Sequence, residues 1–387
     1  MFKILTLNNI SVKGLERLPR EHYEVASEIQ HPDAILVRSF DMHDMPLPAT
    51  LKAVGRAGAG VNNIPVIEMS RKGIPVFNAP GANANAVKEL VLAGILLAAR
   101  NICPAWDYVR NLRAEEALLP SQIEAGKKRF VGFELPGRTL GVIGLGAIGV
   151  KVANAALGLG MKVIGYDPDI TVRRAWQLSS EVGQASSADD LLVHADFVSL
   201  HVPFTETNRG LISAERLRQM PAGVTVLNFS RAEVVDEQAM VAGLEAGHVH
   251  AYVTDFPSTF LQGRERVMAL PHIGASTHEA EENCAIMVAD QIRDFLEHGT
   301  IRNSVNFPEV FMPRKRGHRL AVVNANVPSM LAQISSTLAA AGLNITDMLN
   351  QSRGELAYTL TDVEGVIPPE VVERISAIEG VLTVRTL

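Results

Sequence analysis

Cysteine is nearly absent. Cys103 and Cys284 are the two in 387 residues, so a disulfide framework is excluded, and with no C-x-x-C and no histidine cluster at ligand spacing no metal site is expected. A reduced, cytoplasmic setting fits that usage. Long apolar runs are also missing. The longest, Leu90 to Ala99, falls well below the ~20 residues of a membrane span, and the apolar part of the opening MFKILTLNNI is too short for a secretory h-region. No membrane is expected as a partner. Nor is there a basic excess: 36 Lys and Arg face 42 Asp and Glu, a net charge of −6, with no electrostatic footprint for nucleic acid. Lys127-Lys128-Arg129 and Arg314-Lys315-Arg316 are the basic clusters, and both read first as solvated loops.

What is present is 47% hydrophobic residues, enough for a core, in a chain long enough for two or three domains. Its centre is residues 139 to 169. Thr139 to Ile143 reads as a strand, Gly144-Leu145-Gly146-Ala147-Ile148-Gly149 as a tight turn, the stretch through Leu159 as a helix closed by Gly160, and Met161 to Tyr166 as a second strand. That is a G-x-G-x-x-G in the context it requires. Gly144 permits the turn, Gly146 leaves room for a pyrophosphate, Gly149 lets helix and strand pack closely, and the helix N-terminus offers free N–H groups. Asp167 ends the second strand where a carboxylate would accept from a ribose diol and repel a 2′-phosphate. The expected cofactor is therefore NAD rather than NADP.

Around this unit the reading is α/β. Residues 1 to 100 alternate strands (Lys3 to Leu7, Ala34 to Arg38, Lys52 to Gly55, Pro75 to Phe77) with helical stretches and carry no fingerprint, which suggests a flavodoxin-like substrate domain. Val87 to Arg100 is a long apolar helix with Asn83 and Asn85 upstream as caps. Beyond Asp167 three more strands end in His201-Val202-Pro203-Phe204-Thr205, in Asn228-Phe229-Ser230-Arg231 and in Thr254-Asp255-Phe256-Pro257; ligands gather at such carboxyl ends. Residues 284 to 310 return to the first domain, 101 to 283 form the Rossmann-type domain, Pro308 and Pro313 mark a linker, and 317 to 387 read βαββαβ, a ferredoxin-like domain. Two doubly wound parallel-sheet domains plus that small third one are expected.

Oxidation of a hydroxy acid by hydride transfer needs a cation for the carboxylate and a base for the hydroxyl proton. Arg231, with an always-charged planar fork, and His272, which titrates near neutrality in Leu270-Pro271-His272-Ile273-Gly274, suit these roles. Each alone has a plainer reading, a turn-capping arginine and a structural histidine.

Together GRAGAGVNNI (55 to 64), NAPGANANAV (78 to 87), GVIGLGAIG (141 to 149), HVPFT (201 to 205), NFSRAEVVDE (228 to 237) and PHIGAST (271 to 277) resemble the D-isomer-specific 2-hydroxyacid dehydrogenases over most of residues 1 to 305. The resemblance implies that Arg38, Ser39 and Asn83 contact a phosphorylated substrate, that the N–H groups of Ala59 and Gly60 meet its carboxylate with Arg231, and that His201, Val202, Pro203, Thr207, Ser230, Asp255 and Gly274 line the cofactor with Gly144, Gly146, Ala147, Ile148, Gly149 and Asp167. The last domain is similar to ACT domains, with Asn326 and Asn344 at the positions that hold an amino-acid effector such as serine, in a homodimer or homotetramer. Several positions depart from the pattern. No carboxylate follows Asp255 where the family carries a Glu partner for its catalytic histidine, Ala232 and Asn62 replace a usual Gly and Asp, and Phe40 stands where a second Arg occurs. In the last domain Ser329 replaces a turn Gly and Asn324 a common His. Glu265 is the nearby acid. Two other readings stay open: a 2-hydroxyacid dehydrogenase for glycerate or glyoxylate, and an NAD-sensing binding protein without catalysis.

Overall fold

A computed structural model describes residues 1–113, 115–314 and 317–387, and the chain divides into two compact units, one built from 1–83 with 278–387 and the other from 84–277.

The first unit begins with five parallel strands: β1 (Phe2–Leu7), β2 (Tyr23–Ala26), β3 (Ala34–Val37), β4 (Ala53–Arg56) and β5 (Val76–Phe77), in the order β2-β1-β3-β4-β5. That is the flavodoxin-like order. Strand β3, Ala-Ile-Leu-Val, is buried on both faces, which is why it reads as a continuous apolar run instead of alternating. Ile35 and Val37 face a core with Leu5, Val54, Met69 and Val76, while Ala34 and Leu36 face the long helix His278–His298 through Val288, Ile292 and Phe295.

The second unit holds seven parallel strands: β6 (Thr139–Ile143), β7 (Lys162–Tyr166), β8 (Gly183–Gln184), β9 (Phe197–Leu200), β10 (Val224–Asn228), β11 (Val249–Thr254) and β12 (Val267–Ala269), ordered β12-β11-β10-β9-β6-β7-β8. The order reverses at β6, the topological switch point of a dinucleotide fold, with every neighbouring pair parallel. Its helix Ala84–Ala99 buries Val87, Val91, Ile95 and Ala98 in one core with Leu227 and Val253 of the sheet. The boundary between units accordingly falls at 83/84, before that helix, and not at 100 as composition suggested. Asn85 does not cap it; its Nδ2 donates to Glu89 Oε1 at 2.8 Å.

The remaining segment forms an antiparallel sheet of β13 (His318–Ala325), β14 (Ile345–Arg353), β15 (Leu356–Val363) and β16 (Val381–Thr386), ordered β14-β15-β13-β16, with helices Met330–Ala340 and Pro369–Ser376. Alternation along β13 splits its two faces. Leu320 and Val322 pack with Ile334, Leu338, Val371 and Ile375 of the helices, whereas Ala321 and Val323 join Phe77, Phe295, Phe307, Tyr358 and Leu360 in the core of the first unit. Phe307 and Val310 of the returning segment are buried, and so is Met312 in the stretch expected to be a linker, where Phe311, Pro313 and Arg314 are exposed. Lys315 and Arg316 lie outside the described residues, and Arg314 Nη1 donates to the Glu297 carbonyl at 3.0 Å.

Candidate functional site

At the end of β6 the chain turns at Gly144, whose φ of +92° belongs to the region that favours glycine; a Cβ there would lie 2.6 Å from the His201 carbonyl oxygen. A Cβ on Gly149 would lie 1.9 Å from the Gly144 carbonyl oxygen, so this helix start also excludes a side chain. At Gly146 nothing stands within 4 Å of that position. The turn is thus closed toward the sheet and open on its other side, where Ala147 and Ile148 lead into the helix Gly149–Gly158, whose amino-terminal end faces the turn and whose Val150 N–H reaches back to the Gly146 carbonyl at 3.2 Å. Asp167, after β7, accepts the Leu145 N–H on Oδ2 (2.7 Å) and the Asp169 N–H on Oδ1 (2.9 Å). Each oxygen keeps a further lone pair. An open glycine cradle with a carboxylate pinned beside it fits a dinucleotide.

His201, at the end of β9, sets its Nε2 2.8 Å from Ser199 Oγ, while its Nδ1 is fully enclosed and has no partner among the described residues. The residue keeps some outer exposure, but both ring nitrogens are inside, and burial pushes its pKa down to about 3. Below about 6.5 the unfolded chain takes up a proton that the folded ring refuses until about 3. Stability is therefore expected to fall as pH drops through that window, by up to ~1.4 kcal/mol per pH unit. Denaturant titrations at pH 7 and pH 5 should give a shallower pH slope for His201→Asn than for the unmodified chain; equal slopes would remove His201 from the acid response. Beyond it, Pro203 accepts Asn208 Nδ2 at 2.6 Å, and Thr205 and Thr207 hydroxyls meet at 2.9 Å, with Val202 half-buried beside them.

The end of β10 is organised by Asn228, which is buried and which sequence reasoning passed over. Its Oδ1 accepts the Ser230 N–H (3.2 Å) and its Nδ2 donates to the Arg231 carbonyl (2.9 Å) and the Tyr252 hydroxyl (3.3 Å). Ser230 is buried by this turn, and Arg231 leaves it with extended backbone and an exposed side chain. Arg231 Nη1 donates to the Ser230 carbonyl at 2.6 Å, and no carboxylate pairs with the guanidinium among the described residues.

Asp255, at the end of β11, was expected along the cofactor. Both of its oxygens anchor the histidine loop: Oδ1 accepts the Ile273 N–H at 2.8 Å and Oδ2 the Gly274 N–H at 2.7 Å. His272 sits between this anchor and β12 with φ +56°, a left-handed conformation that a non-glycine residue holds only when its surroundings over-determine it. Its exposed ring meets Phe256 edge-on, centroids 5.0 Å apart at 62°. An aromatic ring stands by the imidazole where the family pattern carries an acid. Glu265 precedes β12 and lines a hollow with Tyr108, Arg129 and His250, at the opposite end of that strand from His272.

In the first unit, Arg38 follows β3 and pairs with Glu281 of the long helix. Its carbonyl accepts from Arg56 Nε (3.2 Å) and Asn63 Nδ2 (3.3 Å), and the Ser39 N–H donates to Asn8 Oδ1 (3.2 Å). Ala59 and Gly60 lie in the glycine loop after β4, where the Ala59 carbonyl accepts Asn78 Nδ2 at 2.5 Å. The Arg56 guanidinium runs across this loop: a Cβ on Gly58 would lie 2.2 Å from its Nη1. Arg56 is a second cation here that motif reading did not single out. Asn83 is the last residue of this stretch of the unit. In the third sheet, exposed Asn326 donates from Nδ2 to the Gly354 carbonyl (3.1 Å) and exposed Asn344 to Glu364 Oε2 (3.0 Å). Among the described residues no group of three His, Cys, Asp or Glu is placed to hold a metal, and no helix is long and apolar enough to cross a membrane.

Residues 92–280 match the family profile described as D-isomer specific 2-hydroxyacid dehydrogenase, NAD binding domain. A D-3-phosphoglycerate dehydrogenase of Escherichia coli (strain K12) is 32% identical over 87% of this chain and 82% of its own length. One from Archaeoglobus fulgidus is 35% identical over 78% of this chain, but the chain spans only 56% of that relative. Among solved structures, the NAD+-bound 3-phosphoglycerate dehydrogenase of Entamoeba histolytica is 28% identical with a TM-score of 0.61, covering 79% of this chain and 98% of the other. The chain belongs to the D-isomer-specific 2-hydroxyacid dehydrogenase family, and its second unit is the NAD-binding domain of that family.

Proposed function

We propose that this protein is an NAD-dependent D-3-phosphoglycerate dehydrogenase, oxidising its substrate to 3-phosphohydroxypyruvate as the first step of serine biosynthesis. The observation that carries the reading is an exposed guanidinium with no carboxylate partner among the described residues, Arg231 at the end of β10, and an exposed imidazole, His272 after β12, on the same edge of a sheet whose glycine turn fits a dinucleotide. When bound, NAD supplies the hydride acceptor. Arg231 holds the substrate carboxylate by charge-assisted hydrogen bonds and polarises the C2 oxygen. His272 takes the hydroxyl proton on its ring as the alcohol is oxidised. Arg38, Ser39, Ala59, Gly60 and Asn83 receive the rest of the substrate, the cation of Arg38 facing its phosphate. The last domain regulates: Asn326 and Asn344 receive an amino acid such as serine in a cytoplasmic homodimer or homotetramer, and unchanged initial rates across a serine titration would count against that role.

Steady-state turnover with a panel of D-2-hydroxy acids tests the assignment. Turnover confined to phosphorylated acids supports it. Turnover of glycerate or glyoxylate alone replaces it with the neighbouring activity, and NAD binding without any turnover makes the chain a sensor.

Cofactor choice is a separate expectation. The Asp167 carboxylate repels a 2′-phosphate, so kcat/KM should favour NAD over NADP, and Asp167→Ala should weaken that preference. Equal values for the two cofactors in the unmodified protein would contradict the assignment of Asp167.

A further inference from the structure

Two arginines on neighbouring strands of the third sheet are held in very different ways, Arg319 fully buried and Arg385 half-buried. Arg319 of β13 is fully paired: Nε and Nη2 grip both oxygens of Asp362 (2.6 and 2.8 Å), Nη1 donates to the carbonyls of His298 (3.0 Å) and Met312 (2.9 Å), and Nη2 also reaches Pro313 (3.2 Å). Arg385 of β16, paired across from Ala321, has one hydrogen bond, Nη2 to the Phe295 carbonyl at 2.8 Å, and stacks over the Phe295 ring at 4.1 Å. Its Nε is enclosed without a partner, and among the described residues no carboxylate comes within ion-pair distance. Burial lowers the pKa of this guanidinium. A half-buried guanidinium with an enclosed, unbonded Nε and no ion pair among the described residues is incompletely satisfied, and an anion at its open side would complete it.

Arg385 borders a cavity of about 780 Å³, lined also by Lys52, Arg314, His22 and His298, and a smaller hollow of about 210 Å³ that again meets Lys52. The one acidic side chain in the larger lining, Glu297, accepts the Tyr23 hydroxyl at 2.6 Å. Lys52 is held by Asp33 at 2.7 Å, and Asp33 also acts on Arg385 through space. The lining thus gathers Arg385, Arg314 and Lys52 around a hollow of about the size of a small metabolite, and the site lies entirely within the first unit.

We propose that this cavity binds a small dianion, a metabolite bearing a phosphate or two carboxylates, with Arg385 as its principal partner and Lys52 and Arg314 as flanking cations. Such a ligand pairs with the accessible face of the Arg385 guanidinium and joins β16 to β1 and the end of the long helix. The site shares no residue with the glycine turn, Arg231 or His272, so it is independent of the proposed chemistry.

The test uses the full chain and two probes, inorganic phosphate and succinate, each against chloride at equal ionic strength, read by thermal melting. At least one probe should raise Tm saturably, and the probe that does so tells phosphate esters from dicarboxylates. Arg385→Gln should weaken the apparent affinity by at least ~10-fold, whereas Arg231→Ala should keep it. If Arg385→Gln does not fold, Arg314→Gln serves in its place, with an expected weakening of at least ~3-fold. No saturable rise with either probe overturns the proposal. So does an undiminished response in the cavity variant that folds, or loss of the response in Arg231→Ala.

Discussion

His272→Ala is expected to lower kcat/KM for the hydroxy acid by ~10²- to 10⁴-fold, the usual contribution of a positioned general base, while Glu265→Gln leaves it within about twofold. The two variants together ask whether the chain has moved its acid or dispensed with it. In the structure the ring that meets His272 is Phe256, and the histidine backbone is set by Asp255 through the N–H groups of Ile273 and Gly274. Orientation thus comes from an aromatic edge and a buried carboxylate acting on the main chain, not from an ion pair at the imidazole. Glu265 lies beyond the far end of β12. Steady-state rates decide it: a Glu265→Gln loss matching that of His272→Ala would mean that the acid reaches the histidine after all.

Arg231→Lys should lower kcat/KM by at least ~10-fold, about 1.4 kcal/mol of transition-state stabilisation. The charge survives, but the planar fork does not, and a lysine ammonium cannot span both oxygens of a carboxylate. The turn built by Asn228 fixes the Arg231 backbone through its carbonyl, so the substitution changes the side chain without releasing its support. Activity equal to that of the unmodified chain would take Arg231 out of the mechanism.

Much of this was legible in the residues because the informative positions are constrained locally. Gly144, Gly149 and Asp167 are fixed by a turn and its strand ends, so their spacing alone carries the dinucleotide cradle. The same holds for the βαββαβ order of the last domain. What escaped depends on contacts distant in sequence. Asp255 was legible as a strand-end acid, but not its grip on the N–H groups of Ile273 and Gly274, 18 and 19 residues later. Asn228 looked like a strand terminus, and only its bonds to Ser230, Arg231 and Tyr252 mark it as the organiser of the turn. Short strands such as β8 and β12, two and three residues long, carry too little periodicity to be read at all. Pro308 and Pro313 signal a break in regular structure, but they do not say whether the flanking Phe307 and Met312 have a core to enter.

They do have one. Because Tyr358, Leu360, Ala321 and Val323 complete the apolar interior that Phe77, Phe295 and Phe307 begin, the amino-terminal sheet and the carboxyl-terminal sheet share one set of buried contacts. Hydrogen bonds from Tyr358 to the Gly299 carbonyl (2.9 Å) and from Arg353 to the Ser304 carbonyl (2.9 Å) tie the same seam. Segments some 300 residues apart along the chain are in this way one cooperative folding element. An amino-terminal sheet made before its carboxyl-terminal partner leaves that apolar face uncovered, and uncovered apolar surface is what exposes a nascent chain to aggregation.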